Sequence, residues 1–371
     1  MRILKRQWFI LGYMKTVLVG IGQAGGKLVS HIQEYDTEMG FGSVQDVIAI
    51  NTAKADLQPL SVDTHLIGQD RTKGQGVGSD NELAAEIMEE SLSEVQQTTE
   101  DYITTQAESI ILVAGLGGGT GSGGTPVLAQ RLSEIYDIPV YVLGILPSSN
   151  ENNLAQVNAG RSLKTLTNTA DATLLVDNDA WKTTGESLRE GYEAINRQIA
   201  KRIGLLLAAG ETSSGVAESV VDSSEVINTL RPGGIAAIGY NQSPAADTAE
   251  DNINTIMSTT RSAVLSGLSL TGETTAEAAL LVVAGEPATI SRKGVEKSRR
   301  WIEDETGSMQ VRGGDFPRET DEIGALVLLG GLQQSDRVQQ FYERANQAAK
   351  EATSADESEK LFQNDDLDPV Y

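Results

Sequence analysis

Two glycine-rich segments have the composition best able to hold an anion. The first, Gly20-Ile21-Gly22-Gln23-Ala24-Gly25-Gly26-Lys27, leaves the apolar run Thr16-Val17-Leu18-Val19 and enters a helical pattern. Glycines let the backbone approach a ligand closely, and a helix N-terminus offers unpaired N–H groups at its positive dipole end. The second, Gly117-Gly118-Gly119-Thr120-Gly121-Ser122-Gly123-Gly124, follows an apolar run over 110–114 and precedes Pro126, a residue suited to a first helical turn. Five of the seven residues 117–123 are glycine and the other two are small hydroxyls. A turn needs one or two glycines. Successive N–H groups and hydroxyls all facing phosphate oxygens account for this many. A flexible linker does not belong between a buried strand and a proline-started helix. The phosphates are therefore expected on the backbone of Gly22, Gln23, Ala24, Gly25, Gly26 and Lys27, and of Gly117, Gly118, Gly119, Thr120, Gly121 and Ser122. Lys27 either adds positive charge or is a solvated helix lysine.

Neither standard nucleotide motif fits the first loop. A dinucleotide fold wants a carboxylate at the tip of its second strand, but that strand ends Ile48-Ala49-Ile50-Asn51-Thr52. A P-loop requires glycine at position 21 and Ser or Thr at 28; Ile21 and Leu28 stand there.

These loops must hang on a scaffold, and the pattern supplies one. Apolar, β-branched runs at 16–20, 46–51, 109–115, 139–146 and 172–177 alternate with helical segments at 26–35, 81–97, 126–136 and 153–168. Such alternation implies α/β crossover units around a buried parallel sheet. A long helix over 186–209 buries Leu188, Tyr192, Ile195, Ile199, Ile203 and Leu206 at spacings of three and four. Strands at 235–239, 278–284 and 325–329, separated by helices at 247–265, 291–305 and 336–352, make a second, smaller α/β unit. The expected organisation is an N-terminal arm or misread start (1–13), a nucleotide-binding domain (14–185), the central helix (186–210), a smaller domain (211–350) and an acidic mobile tail (351–371).

Composition bounds the chemistry. The chain has 371 residues, no cysteine and two histidines, His31 and His65, so thiolate and histidine-cluster metal sites are excluded. Fifty-two acids against 29 bases give a net charge of −23. Such a surface repels nucleic acid and anionic lipid, and suits a protein kept soluble in a salt-rich cytoplasm. No apolar run approaches the roughly 20 residues of a membrane span. No signal peptide is visible in the basic, aromatic start (Arg2, Lys5, Arg6, Trp8, Phe9).

GGGTGSG in this setting is the signature of the tubulin/FtsZ superfamily. GIGQAGG lies between the two forms of that family's opening motif, Asn51-Thr52-Ala53 resembles its second FtsZ loop, and GQGVGSDNE at 74–82 resembles the third. An FtsZ-like front with a tubulin-like nucleoside pocket is most similar to the CetZ group of halophilic archaea. The resemblance spans about residues 14–349. It implies a Rossmann-like GTPase domain joined by a long helix to a smaller α/β domain. GTP and GDP would be the ligands, with Mg²⁺ carried mainly by the nucleotide. Asp80 and Glu82 would either hold that ion through water or simply sit at a helix N-terminus. Glu151, four residues after Pro147, takes the ribose-binding position. The arginine of that segment falls at Ala155, leaving Arg161 as a substitute. Asn178 matches the base-binding asparagine, and Tyr192 and Asn196, four apart on one helix face, match the tubulin pair on guanine.

Val220-Val221-Asp222-Ser223-Ser224-Glu225 resembles the synergy loop, with Asp222 and Glu225 aligned to its two acids and Val220 replacing its asparagine. The resemblance implies that these acids complete the nucleotide site of the next subunit in a head-to-tail filament. The same residues also suit a helix start capped by Ser223 or Ser224. By resemblance the role is control of cell shape, with filaments in the cytoplasm or along its cortex. A non-hydrolysing GTP-binding filament or regulatory protein is the alternative that Val220 keeps open. The tail's apolar residues, among them Leu361, Phe362 and Leu367, suit either a partner-docking peptide or a disordered end.

Overall fold

A computed structural model describes residues 14–181, 188–209, 221–272 and 274–362. The expectations placed on 1–13, on Val220 and on 363–371 lie outside these residues. The chain opens with β1 (Thr16–Ile21), α1 (Gly22–Met39), β2 (Val44–Asn51), α2 (Lys54–Leu57), β3 (Asp63–Leu66), α3 (Gln69–Thr72) and α4 (Asn81–Glu100). It continues through β4 (Ser109–Gly115), α5 (Thr120–Ile135), β5 (Val140–Leu146), α6 (Asn153–Thr169) and β6 (Ala172–Asp177). Then come α7 (Leu188–Ala208), α8 (Ser223–Leu230), β7 (Ile235–Pro244), α9 (Asn252–Leu265) and β8 (Thr274–Gly285). The last elements are α10 (Arg292–Thr306), β9 (Gln310–Pro317), β10 (Glu322–Ser335) and α11 (Asp336–Phe362).

Ten strands form one sheet in the order β3-β2-β1-β4-β5-β6-β7-β10-β8-β9. Every residue of β1, β5 and β6 is buried, because helices cover both faces. One face packs on α4, α5, α6, α9, α10 and α11, the other on α1, α7 and α8. All strand pairs are parallel except those of β10 with β7 and β8. The two halves share this sheet through the β6–β7 pairing of Thr173 with Ile235 and Leu174 with Ala236. In the first six strands the order reverses between β1 and β4, the switch point where such sheets open a ligand crevice at the carboxyl ends of the strands. Both glycine loops leave strands there.

Several elements differ from expectation: α1 is longer at both ends, and α2, β3 and α3 had no counterpart in the pattern. Helix α5 begins at Thr120, not near Pro126, so the glycine run is itself the first helical turn. Low glycine propensity argues against a helix here, and close approach overrides it. A Cβ on Gly123 would sit 2.0 Å from the Asn81 carbonyl of α4, and one on Gly121 would sit 2.7 Å from the Gly115 carbonyl. Helix α11 continues to Phe362, ten residues past its expected end and into the segment read as a mobile tail. Strand β9, QVRGGDFP, gave no apolar run, because it is the sheet's edge and pairs only with β8. Tyr192 is not core: it is 39% exposed, while Ile195, Ile199, Ile203 and Leu206 of α7 are buried.

The Gly123 contact sets the sign of a test. At an open helix position Gly→Ala stabilises by up to about 1 kcal/mol. Here Gly123→Ala should instead destabilise by about 1–3 kcal/mol, because the obstructing atom is backbone. Chemical denaturation of the two proteins reads this as a lowered midpoint.

Candidate functional site

A cavity of about 520 Å³ opens at the carboxyl ends of β1 and β4. Helices α1 and α5 both start on it. The N-cap residue of α1 is Ile21 and that of α5 is Gly119; neither helix start is capped by a side chain, and neither has an acid in its first turn. By contrast α4, α6, α8 and α10 are capped by Asp80, Asn152, Asp222 and Ser291. The first-turn N–H groups of α1 and α5 thus lack side-chain acceptors and converge where two dipole ends favour negative charge. The starts almost touch: Gly22 has φ +74°, and a Cβ there would lie 2.9 Å from the Gly121 nitrogen. Among the described residues that line it, Lys27 is the only base, against the acids Asp56 and Glu151. Charge in this cavity is met chiefly by amides.

Of the residues expected on the phosphates, Gly22, Gln23, Ala24, Lys27 and Gly117, Gly118, Gly119, Thr120 and Gly121 line the cavity. Gly25, Gly26 and Ser122 do not. A Cβ on Gly25 would sit 2.1 Å from the Val113 carbonyl, and one on Gly26 would sit 2.8 Å from Leu60, so these two glycines seat α1 on its neighbours. The Ser122 hydroxyl turns inward and donates to the carbonyls of Gly118 and Gly119. Thr120 is tied to the second loop through its hydroxyl, 2.8 Å from that of Thr52.

Asn51 and Ala53 of the second resembled loop and Gln75, Gly76, Val77, Gly78 and Ser79 of the third line the cavity as well, and so does Asp56, which nothing in the sequence singled out. Positive φ at Gly76, Gly78 and Ser79 bends the third loop over the cavity. The Asn51 carboxamide accepts from the N–H groups of Thr52 and Ala53 at 2.8 and 3.3 Å, and so builds its own turn. Asp56 accepts from Gln23 at 2.8 Å and from Asn51 at 3.3 Å. Asn158, 1% exposed on α6, donates to the Ser79 carbonyl at 2.8 Å and braces the loop from below. Asp80 and Glu82 are absent from the lining: Asp80 caps α4, and Glu82 pairs with Arg161 at 2.9 Å. Arg161 is therefore committed there and not to the segment around Glu151.

At the other end of the cavity stand Glu151, Asn178, Tyr192 and Asn196, brought together from two loops and α7. Glu151 accepts from the Ser148 N–H at 2.8 Å. Asp179 accepts from the Ser148 hydroxyl and the Ser149 N–H, both at 2.7 Å. Arg337 of α11 donates to Asp177 and lies 3.5 Å from Asp179. The Asp177 hydrogen bond, set against burial, raises the Arg337 pKa. One arginine thus joins the two loops that carry Glu151 and Asn178.

Asp222 and Glu225 are not at this cavity. Asp222 caps α8, accepting from the Glu225 N–H at 3.1 Å, so the cap is Asp222 and not Ser223 or Ser224. The Ser223 hydroxyl donates to Glu108 at 3.2 Å, and Glu108 immediately precedes β4. The cavity lies past the other end of β4. A strand of seven residues spans about 23 Å, so the acids and the cavity occupy opposite ends of the sheet. Burial, then the Asp222 carboxylate, push the Glu225 carboxyl up, and Arg299 and Arg312 pull it down.

Residues 15–186 match the Tubulin/FtsZ family GTPase domain, and residues 185–347 match the tubulin-like CetZ C-terminal domain. The chain belongs to the CetZ family. The tubulin-like protein CetZ2 of Haloferax volcanii is 62% identical over 96% of this chain and 100% of its own. CetZ1 of the same organism is 45% identical over 90% of this chain and 92% of its own. Among solved structures, a GTPγS-bound CetZ2 protofilament matches with a TM-score of 0.88 at 62% identity, covering 92% of this chain and 100% of that one. A GDP-bound CetZ1 monomer matches at 0.83 and 45% identity, covering 91% and 100%. Beside the site of this CetZ chain the Asp177–Arg337 pair is buried, its side chains 1% and 11% exposed.

Removing one partner of such a pair strands a buried charge. Arg337→Met should lower stability by about 3–5 kcal/mol. Adding Asp177→Asn to it should recover part of that loss. Urea denaturation of the single and double variants checks both statements.

Proposed function

We propose that this chain binds GTP in the cavity, hydrolyses it to GDP and phosphate, and assembles head to tail into protofilaments. The observation that carries the reading is the meeting of two uncapped helix starts, α1 and α5, at the sheet's switch point. Phosphate oxygens are the acceptors such a place suits. Backbone of Gly22, Gln23, Ala24 and Lys27 and of Gly117 to Gly121 holds the triphosphate. Glu151 takes the ribose hydroxyls, Tyr192 stacks on guanine, and Asn178 and Asn196 hydrogen-bond its edge. The donor set has one cation against two carboxylates, so Mg²⁺ enters with the nucleotide and offsets its charge. Among the described residues no group of three metal-ligating side chains stands ready.

The acids act in trans. Asp222 and Glu225 lie about one strand length from the cavity of their own chain, and stacking copies end to end brings them to a neighbour's γ-phosphate. There a carboxylate orients water and accepts its proton. The GTPγS-bound protofilament of the 62% identical CetZ2 supports assembly of this kind. No helix among the described residues is long and apolar enough to cross a membrane. The filaments are cytoplasmic or cortical and serve cell shape. Partner proteins, where there are any, dock on the acidic tail.

Two substitutions test the halves of this reading. Glu225→Gln should leave GTP binding within about twofold while lowering turnover at least about a hundredfold, as expected on losing a general base. It should also lengthen polymer lifetime in light scattering. Turnover near zero in the parent protein, independent of protein concentration, would favour a filament that binds GTP without hydrolysing it. Asn196→Ala should reduce the preference for GTP over ATP by about tenfold, as for loss of one buried hydrogen-bond partner. Competition binding measures it, and unchanged selectivity would remove Asn196 from the base pocket.

A further inference from the structure

The loop over 75–79 is tied down on two sides by different parts of the fold. On the β2 side the Gly76 N–H donates to the Thr52 carbonyl at 3.1 Å, and Ala53 bridges to Gln75. On the α6 side the Asn158 carboxamide donates to the Ser79 carbonyl at 2.8 Å. Between these ties the loop rests on the start of α5, where a Cβ on Gly119 would lie 2.4 Å from Val77. Ser79 has φ +69°, a left-handed conformation that is strained for serine. Strain of this kind persists where the surroundings hold it, and it gathers at ligand clamps. Asn158 supplies such a hold.

The same amide nitrogen lies 3.4 Å from the carbonyls of Gly117 and Gly118. One side chain thus faces both the loop over the cavity and the glycine run beneath it. The two do not depend on it equally. The Gly118 carbonyl also accepts from the Ser122 hydroxyl, so the glycine run keeps an internal support when Asn158 is truncated.

The order of the lining residues across the sheet decides which end of a nucleotide the loop meets. Asn178 follows β6, Glu151 follows β5, and the two glycine loops follow β4 and β1. Asn51 to Asp56 follow β2, to which the loop over 75–79 is tied. A nucleotide with its base beside β6 and its first phosphates on the starts of α5 and α1 sends its terminal phosphate toward β2 and this loop. A diphosphate stops one group short.

We propose that Asn158 is a positioning residue that holds the loop over 75–79 against the terminal phosphate of GTP. The inference rests on the reading of the cavity as the GTP site. Asn158 does not line the cavity; it acts through the Ser79 carbonyl. Without its amide the strained turn at Ser79 relaxes, the loop withdraws, and only a ligand long enough to reach the loop is affected.

The experiment compares GTPγS and GDP binding, by calorimetry in the presence of Mg²⁺, to the full-length parent and Asn158→Ala. The variant should bind GTPγS about tenfold more weakly and GDP within about twofold of the parent, as for the loss of one buried hydrogen bond felt by one ligand alone. Hydrogen–deuterium exchange gives a local readout. GTPγS should slow exchange over 76–79 in the parent and not in the variant, while exchange over 22–24 slows in both. A purely structural role would weaken both nucleotides alike, and that result overturns the proposal. So does undiminished GTPγS binding by Asn158→Ala. A parent chain that binds neither nucleotide would instead overturn the GTP reading beneath it. If Asn158→Ala does not fold, Gly78→Ala makes the test from the loop itself. At φ +59° a Cβ strains the backbone there yet meets nothing within 4 Å. The same selective loss of GTPγS is expected, and unchanged GTPγS affinity overturns the proposal.

Discussion

Two helices beginning against each other without caps impose the constraint from which the site follows. A helix start that lacks a capping side chain must find acceptors for its N–H groups in water or in a ligand. In α1 and α5 both starts open on the same cavity, and glycine is required at Gly22 and Gly121 for the two to come within contact. The approach is possible because β1 and β4 are neighbours in the sheet while their connections leave in opposite directions. Strand order, glycine content and anion preference are therefore one fact seen at three scales.

What could be read from the sequence was whatever has a local cause. The parallel strands were legible as unbroken apolar runs, and 109–115 and 172–177 coincide with β4 and β6 to the residue. Boundaries set by distant atoms were not. The start of α5 depends on the Asn81 carbonyl, which no pattern near Gly123 reports. Glycines of the two loops look alike in sequence, yet Gly118 faces open space while Gly25 is pressed on the Val113 carbonyl. The same blindness hid Asn158 and Arg337, whose types signal nothing until tertiary structure brings them to Ser79 and Asp177. Nor does sequence report that the Ser122 hydroxyl donates to the loop carbonyls of Gly118 and Gly119.

The site's two ends are built by different physics. Around the loops, amide donors and close backbone contacts prevail, and side chains such as Asn51 and Asn158 satisfy backbone groups that would otherwise be orphaned. Around Glu151 and Asn178 the organiser is charge: Asp177, Asp179 and Arg337 tie two loops to α11. The first arrangement tolerates little movement, because backbone contacts near 3 Å have no slack. The second is held by side chains on separate elements, among them the buried Asp177–Arg337 pair.

That difference bears on how the two halves of the chain communicate. Helix α11 packs on α6, whose Asn158 supports the loop over the cavity, and its Arg337 grips the loops at the cavity's other end. One helix of the C-terminal half thus touches the supports of both ends of the site. At the far end of the sheet α8, with Asp222 and Glu225, packs on β8, β9 and β10, and β10 leads directly into α11. The two ends of the sheet, one with the cavity and one with Asp222 and Glu225, are thus joined by continuous packing through β10 and α11.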